Sequence, residues 1–169
     1  RAFPESYQEA LSRVQEEVVP GVVTFFDKSN ISELSTYSFE QAEGQGVVLT
    51  SDGWIVTTLE FSRAFSHYEV LVQGELYGVE QIVEDEVTGV SFVKVLANNF
   101  PVVSFGNGWD AQIGDQIFII PTQDAVVQTA VMQILRKDEL VVSSDEPTRF
   151  VQTERFALDE TIGSPVANL

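Results

Sequence analysis

The chain has 169 residues, of which 44% are hydrophobic, and it contains no cysteine. This length is enough for one large domain or two small ones, while the missing cysteines exclude a disulfide framework and a thiol nucleophile. The formal net charge of −17 makes nucleic-acid binding unfavourable, because an acidic surface repels phosphate backbones.

A helix is predicted first, over residues 5–19, because Leu11, Val14 and Val18 recur at helical spacing and Pro20-Gly21 ends the pattern. The sequence after this helix predicts an all-β fold, since runs rich in Val, Ile, Phe and Thr alternate with turn residues at regular intervals. Residues 27–45 are polar and predict a long surface loop. The predicted strands are residues 22–26, 46–50, 54–58, 68–72, 75–83, 89–96, 116–120, 126–135, 139–143 and 150–153.

The segment 44–57 carries the most informative motif. Its sequence GQGVVLTSDGWIVT resembles the HtrA/DegP serine protease pattern G-S-G-V-I-x-x-x-D-G-Y-I-L-T, in which a D-G hairpin returns the chain towards the catalytic histidine. Other segments resemble the same family in the same order. They are VVPGVV at 18–23, VEDEVTGVSFVKV at 83–95, PVVSFG at 101–106, IGDQI at 113–117, FVQT at 150–153 and GSPVAN at 163–168.

This resemblance to an HtrA/DegP-type domain covers most of the chain after residue 15, and it implies an all-β, trypsin-like double β-barrel with an N-terminal helix. The implied parts are a helix at 1–20, a first barrel at 21–99 and a second barrel at 100–169, together one protease-like domain with a cleft between the barrels. Family members continue beyond the position of Leu169. Three outcomes are therefore expected for the strands that complete the second barrel in the family. They are absent from the given chain, or other strands replace them, or the second barrel stays open.

The catalytic positions of such a protease can be located from the family's motifs. A serine hydroxyl, a histidine base and a buried aspartate must be in contact. The histidine position falls on Glu60, the aspartate position on Gly89 and the serine position on Ile162. A carboxylate is a weak base for an alcohol near neutral pH, and neither glycine nor isoleucine offers a reactive group. The sequence therefore predicts a degenerate triad, no catalytic residue, and a protein that is not an enzyme.

The predicted function is an inactive HtrA-like pseudoprotease that acts as a scaffold, a peptide-binding protein or a regulatory protein. Its predicted partner is a protein or an extended peptide. One alternative is a serine hydrolase with displaced residues, in which Ser164 is activated by His67 or Glu60. Another alternative is a structural subunit of a homo-oligomer, assembled through the aromatic residues Phe3 and Tyr7.

No metal or other cofactor is predicted. His67 is the single histidine, cysteine is absent, and the run Glu84-Asp85-Glu86 lacks the alternating spacing of a calcium loop. The resemblance implies an extracytoplasmic location, either periplasmic or at the cell surface. The chain begins at Arg1 rather than with Met, and no apolar run reaches the roughly 18 residues that span a bilayer. We therefore expect the protein to attach to a membrane only through an upstream anchor segment that has been removed from this chain.

Overall fold

A computed structural model describes residues 6–31, 37, 41–107, 110–119, 130–140, 148–153 and 163–168. These residues form a helix, α1, followed by strands β1 to β10. The bounds are α1 Tyr7–Glu17, β1 Val22–Asp27, β2 Gly44–Val48, β3 Trp54–Thr57, β4 Tyr68–Val72, β5 Glu75–Asp85, β6 Val90–Val95, β7 Gln116–Ile119, β8 Ala130–Leu140, β9 Thr148–Thr153 and β10 Val166–Asn168. No helix in this part of the chain has the length and apolar character needed to cross a membrane.

Helix α1 begins at a capping box and ends before a tight turn. The Ser6 hydroxyl accepts a hydrogen bond from the Glu9 amide at 3.3 Å, and the Glu9 carboxylate accepts one from the Ser6 amide at 2.9 Å. This arrangement satisfies amide groups that the first helical turn leaves without partners. The predicted helix is confirmed, but it ends at Glu17 because Val19–Gly21 forms a 3₁₀ turn.

The apolar stripe of α1 packs between two sheets. Ala10 and Val14, one helical turn apart, are buried together with Val22 of β1 and Phe118 of β7. The aromatic ring of Tyr7 lies 5.6 Å from that of Phe118. The helix therefore joins the outer face of the first group of strands to the second group.

Strands β1 to β6 close into a barrel in the order β1-β2-β3-β6-β5-β4. All of its ladders are antiparallel. Alternate side chains point inward, as the period of a strand requires, and they fill the barrel with an apolar cluster. That cluster includes Val23, Phe25, Val48, Ile55, Val70, Val93 and Val95. The predicted fold class is confirmed by this barrel. Strands β1 and β2 extend into the two ends of the predicted loop over 27–45, since Asp27 pairs with Tyr68 and Phe25 with Gly44. Residues 32–36 and 38–40 of this loop lie outside the described residues.

The second group of strands forms a four-stranded sheet in the order β10-β7-β8-β9. Two predictions differ here. Within the described residues 130–140, the strands predicted at 126–135 and 139–143 are one continuous strand, because Arg136 and Lys137 pair with β9 instead of turning. Residues 126–129 and 141–143 lie outside the described residues. The three-residue strand β10 was not predicted, since its only support is the ladder with β7. The boundaries of the domain parts remain predictions.

Candidate functional site

The end of strand β3 is the point where several distant segments meet. Thr57, the last residue of β3, is only 3% exposed. Its hydroxyl donates to the carbonyl oxygen of Gln45 on β2 at 2.6 Å and accepts from the amide of Leu59 at 3.1 Å. In the β3–β6 ladder Thr57 pairs with Ser91. Together with Gly163, described below, these residues form what we name the Thr57 junction: Gln45, Thr57, Leu59, Ser91 and Gly163.

Glu60, at the predicted histidine position, directly follows the part of the chain that the junction holds. The amide of Leu59 donates a hydrogen bond to the Thr57 hydroxyl, and the carbonyl oxygen of Leu59 accepts one from the Ser91 hydroxyl at 3.2 Å. Leu59 is buried, whereas Glu60 is exposed. The backbone at this position is therefore fixed by buried hydrogen bonds, while the carboxylate extends into solvent.

The loop that follows Glu60 is fastened to the end of β1 by Asp27. The Nε atom of Arg63 lies 3.4 Å from the Asp27 carboxylate, which also accepts from the Ser29 amide at 2.8 Å. Burial alone would raise the pKa of Asp27. The hydrogen bonds from Ser29, with the charges of Arg63 and His67, outweigh burial and hold that pKa below its usual value. His67 thus interacts electrostatically with Asp27, and its own side chain is exposed.

Gly89, at the predicted aspartate position, ends the exposed turn between β5 and β6. Its amide donates to the Asp85 carbonyl oxygen at 2.8 Å, and its φ is +70°. The space where a Cβ would lie is open, with no atom within 4 Å. The Thr88 hydroxyl and the Val87 amide donate to the Asp85 carboxylate and hold its pKa below the usual range. Room for a side chain exists at Gly89, but the residue supplies none.

The segment 163–165 brings the C-terminal part of the chain to the Thr57 junction. Gly163 has a φ of +80°, and a Cβ added there would overlap the Gln45 carbonyl oxygen and lie 2.5 Å from the Thr57 hydroxyl. Glycine is required by this close approach as well as by its φ. Ile162, at the predicted serine position, lies outside the described residues, and so does Phe3.

The structure therefore brings Leu59, which precedes Glu60, into contact with Ser91, two residues after Gly89, but among the described residues it does not bring together the side chains of the alternative hydrolase. The buried Ser164 hydroxyl has no hydrogen-bond partner among the described residues. His67 and Glu60 are both exposed and make no hydrogen bond to it. In the same part of the chain, no group of three or more His, Asp or Glu side chains is arranged to hold a metal ion.

The residues of the Thr57 junction were missed by reasoning from the sequence. Gln45, Thr57 and Ser91 are buried polar residues inside strands whose other buried residues are mostly apolar. A polar residue in such a pattern is a usable signal, because a buried polar group must find a hydrogen-bond partner. The sequence could have indicated that these residues have partners, although not which ones.

The sequence of this chain is similar to those of known serine proteases. HhoB of Synechocystis sp., assigned as a serine protease, is 29% identical over 139 residues, which are 76% of this chain and 32% of HhoB. A DegP-like protein of Chlamydia muridarum, assigned as a periplasmic serine endoprotease, is 27% identical over 134 residues, covering 77% of this chain and 27% of that protein. The chain thus spans between a quarter and a third of the length of these relatives. No model of a protein family matches it.

Among solved structures, the HtrA-type protease AlgW with a decapeptide superposes with a TM-score of 0.69 at 19% identity. The superposition covers 97% of this chain and 56% of the AlgW chain. At this identity the likeness concerns the fold, which is that of an HtrA-type, trypsin-like barrel domain.

The comparisons correct one prediction. The sequence predicts that the chain is not an enzyme, and this is wrong in light of the relatives, whose assignment as serine proteases points to an enzyme. The prediction rested on Glu60, Gly89 and Ile162 alone. Three aligned side chains do not by themselves decide the chemistry of a site to which many segments contribute.

Proposed function

We propose that this chain, which has the fold of an HtrA-type, trypsin-like domain, engages extended segments of other proteins beside the Thr57 junction, in an extracytoplasmic compartment. The observation that carries the proposal is the meeting of segment 57–59 with Ser91 and Gly163 around the Thr57 hydroxyl. The decapeptide in the AlgW structure supports the class of partner. The periplasmic assignment of the DegP-like relatives supports the compartment.

We also propose that Glu60, Gly89 and Ile162 occupy the positions of the histidine, aspartate and serine of the family's triad. Support comes from the order and spacing of the motifs, and from the closeness of Glu60 and Gly89 to junction residues: Leu59 precedes Glu60, and Ser91 lies two residues after Gly89. On this assignment a hydrolytic step in this chain draws on side chains other than these three.

Binding can be tested with fluorescently labelled, unfolded casein by fluorescence anisotropy. Glu60→Arg adds bulk and reverses a charge beside the junction, and Glu84→Arg makes the same change on the exposed surface of β5. At about 0.3 M salt, long-range electrostatic effects of both changes are largely screened. We expect saturable binding that Glu60→Arg weakens several-fold and Glu84→Arg leaves unchanged. Absence of saturable binding, or equal effects of both variants, would overturn the proposal.

A second candidate function is a serine hydrolase that uses Ser164, with His67 or Glu60 as its base. It is favoured by the assignment of the relatives as serine proteases and by the position of Ser164 two residues after the predicted serine position. The base must come within hydrogen-bond reach of the hydroxyl. Since the Ser164 hydroxyl has no partner among the described residues, this mechanism requires either segment 163–165 or the side chain of the base to move.

The hydrolase candidate predicts covalent labelling by a fluorophosphonate probe, together with turnover of casein on a gel. Ser164→Ala should abolish both signals. Ser51→Ala, which removes an exposed hydroxyl from the β2–β3 hairpin, should leave both unchanged. Labelling that persists in Ser164→Ala, or no labelling of the natural chain, excludes Ser164 as the nucleophile.

A further inference from the structure

The exposed residue Glu60 lies between two anchored residues of the loop that joins β3 to β4. Leu59, before it, is buried, and both of its backbone polar groups are hydrogen-bonded within the junction. Phe61, after it, packs edge-on against the rings of Phe25 and Tyr68, with centroid distances of 5.5 and 4.9 Å. The backbone of Glu60 is therefore held from both sides, and its carboxylate is presented to solvent at a fixed place beside the junction.

Arg63, which is the single lysine or arginine of the loop over residues 58–67, is engaged elsewhere. Its Nε atom lies 3.4 Å from Oδ2 of Asp27, and a terminal guanidinium nitrogen donates to the Ser29 hydroxyl at 2.6 Å. Asp27 is only 4% exposed, and a buried carboxylate requires a charged or hydrogen-bonding partner. Asp27 and Ser29 thus hold the guanidinium at the end of β1. Among the described residues, Glu60 has no ion pair.

The charge of the whole chain favours one kind of partner at this carboxylate. The sequence has 26 acidic residues against nine lysines and arginines, so its field repels anionic segments and attracts cationic ones. Complementary charge across an interface contributes mainly to the choice of partner. A carboxylate at a fixed position, whose neighbouring cation is bound to Asp27, is suited to select for a lysine or arginine of the partner.

We propose that Glu60 is a specificity-determining residue, which selects extended segments that carry lysine or arginine. This inference rests on the proposed binding of extended segments beside the Thr57 junction, and it adds the chemical class of the segment. The cationic side chain pairs with the Glu60 carboxylate. Asp27 supports the selection by holding Arg63, which would otherwise compete for the same carboxylate.

Fluorescence anisotropy with three labelled ten-residue peptides tests the selection, at about 0.15 M salt. In these peptides Val alternates with Lys, with Gln or with Glu, so the variable side chain recurs along each segment. We expect saturable binding that is tightest for the Lys peptide and weakest for the Glu peptide. Equal affinities for the three peptides would overturn the selection and leave the proposed binding intact. Absence of saturable binding for all three would overturn both.

Two matched variants separate the local effect of Glu60 from the effect of net charge. Glu60→Gln and Glu75→Gln change the net charge equally, and Glu75 is exposed at the start of β5, whose other end pairs beside Ser91. Glu60→Gln should weaken binding of the Lys peptide about three- to fivefold, as expected for one exposed ion pair, and leave the Gln peptide unchanged. Glu75→Gln should change neither affinity by more than about 1.5-fold.

Charge reversal gives a readout that a purely structural role of Glu60 would not produce. Glu60→Lys should bind the Glu peptide about threefold more tightly than the natural chain does, and the Lys peptide more weakly. Equal effects of Glu60→Gln and Glu75→Gln, or a loss of affinity in Glu60→Lys that is the same for all three peptides, would contradict the selection.

Discussion

The Thr57 junction and the turn over residues 85–89 share two structural features but differ in how deeply they are buried. Each contains a glycine with positive φ, Gly163 and Gly89. Each also contains a threonine hydroxyl that accepts from the amide two residues later, at 3.1 Å for Thr57 and 3.4 Å for Thr88. The junction is buried against other strands, whereas the turn is exposed. The contribution of such a glycine or threonine to the free energy of unfolding therefore depends on what the tertiary structure packs against it.

The largest expected difference is between the two glycines. Gly163→Ala should destabilise the fold by more than about 4 kcal/mol, because the new methyl group overlaps a backbone carbonyl oxygen that cannot move aside. Gly89→Ala faces open space and should cost only the strain of positive φ, about 1–2 kcal/mol. Urea unfolding measures both. Similar losses in the two variants would show that segment 163–165 is not packed against β2.

The two threonines should differ next. Thr57→Val removes a bond to the Gln45 carbonyl oxygen and leaves the buried Leu59 amide without its acceptor, so we expect a loss of about 2 kcal/mol. Thr88→Val removes hydrogen bonds that solvent can replace, and we expect a loss within about 0.5 kcal/mol. Chemical denaturation of both variants checks this, and equal losses would contradict a buried junction.

Within the exposed turn, the cost should come from backbone conformation alone. Gly89→Asn should be less destabilising than Gly89→Ala, by several tenths of a kcal/mol, because asparagine tolerates positive φ better. Gly78→Ala, on β5 with equally open space but without positive φ, is the matched control and should change stability by less than about 0.5 kcal/mol. A large loss for Gly78→Ala would mean that side-chain space, and not φ, determines the cost.

The smallest expected effect is in the pH dependence of stability, and it compares Asp27 with Asp85. Both carboxyl groups have a lowered pKa in the folded chain. Their stabilising contribution is therefore fully present above the unfolded value, about 3.9, and is lost as the pH falls through the folded value. Asp27→Asn should flatten the decline in unfolding free energy below about pH 4 more than Asp85→Asn, since among the described residues Asp27 has an ion pair, with Arg63, and Asp85 has none. Identical pH profiles for both variants would contradict this ranking.

Much of the architecture follows from patterns that are local in the sequence. The spacing of apolar residues in 5–19 indicates a helix, and Ser6 with Glu9 supplies its capping box. The segment GQGVVLTSDGWIVT contains two strands and the hairpin between them, so the first barrel and its family likeness were predictable. These features depend on the period of side chains along a strand or helix and on the residues that turns require.

The candidate site was decided by contacts between parts of the chain that are far apart in sequence. Glu60 and Gly89 could be singled out by motif, but the contacts of Gln45 and the need for glycine at 163 could not. Likewise, only pairing with β7 makes residues 166–168 a strand. A local pattern tells which side chains share a face. Which distant groups meet across that face depends on the closure of the barrel and on how the second sheet packs against it.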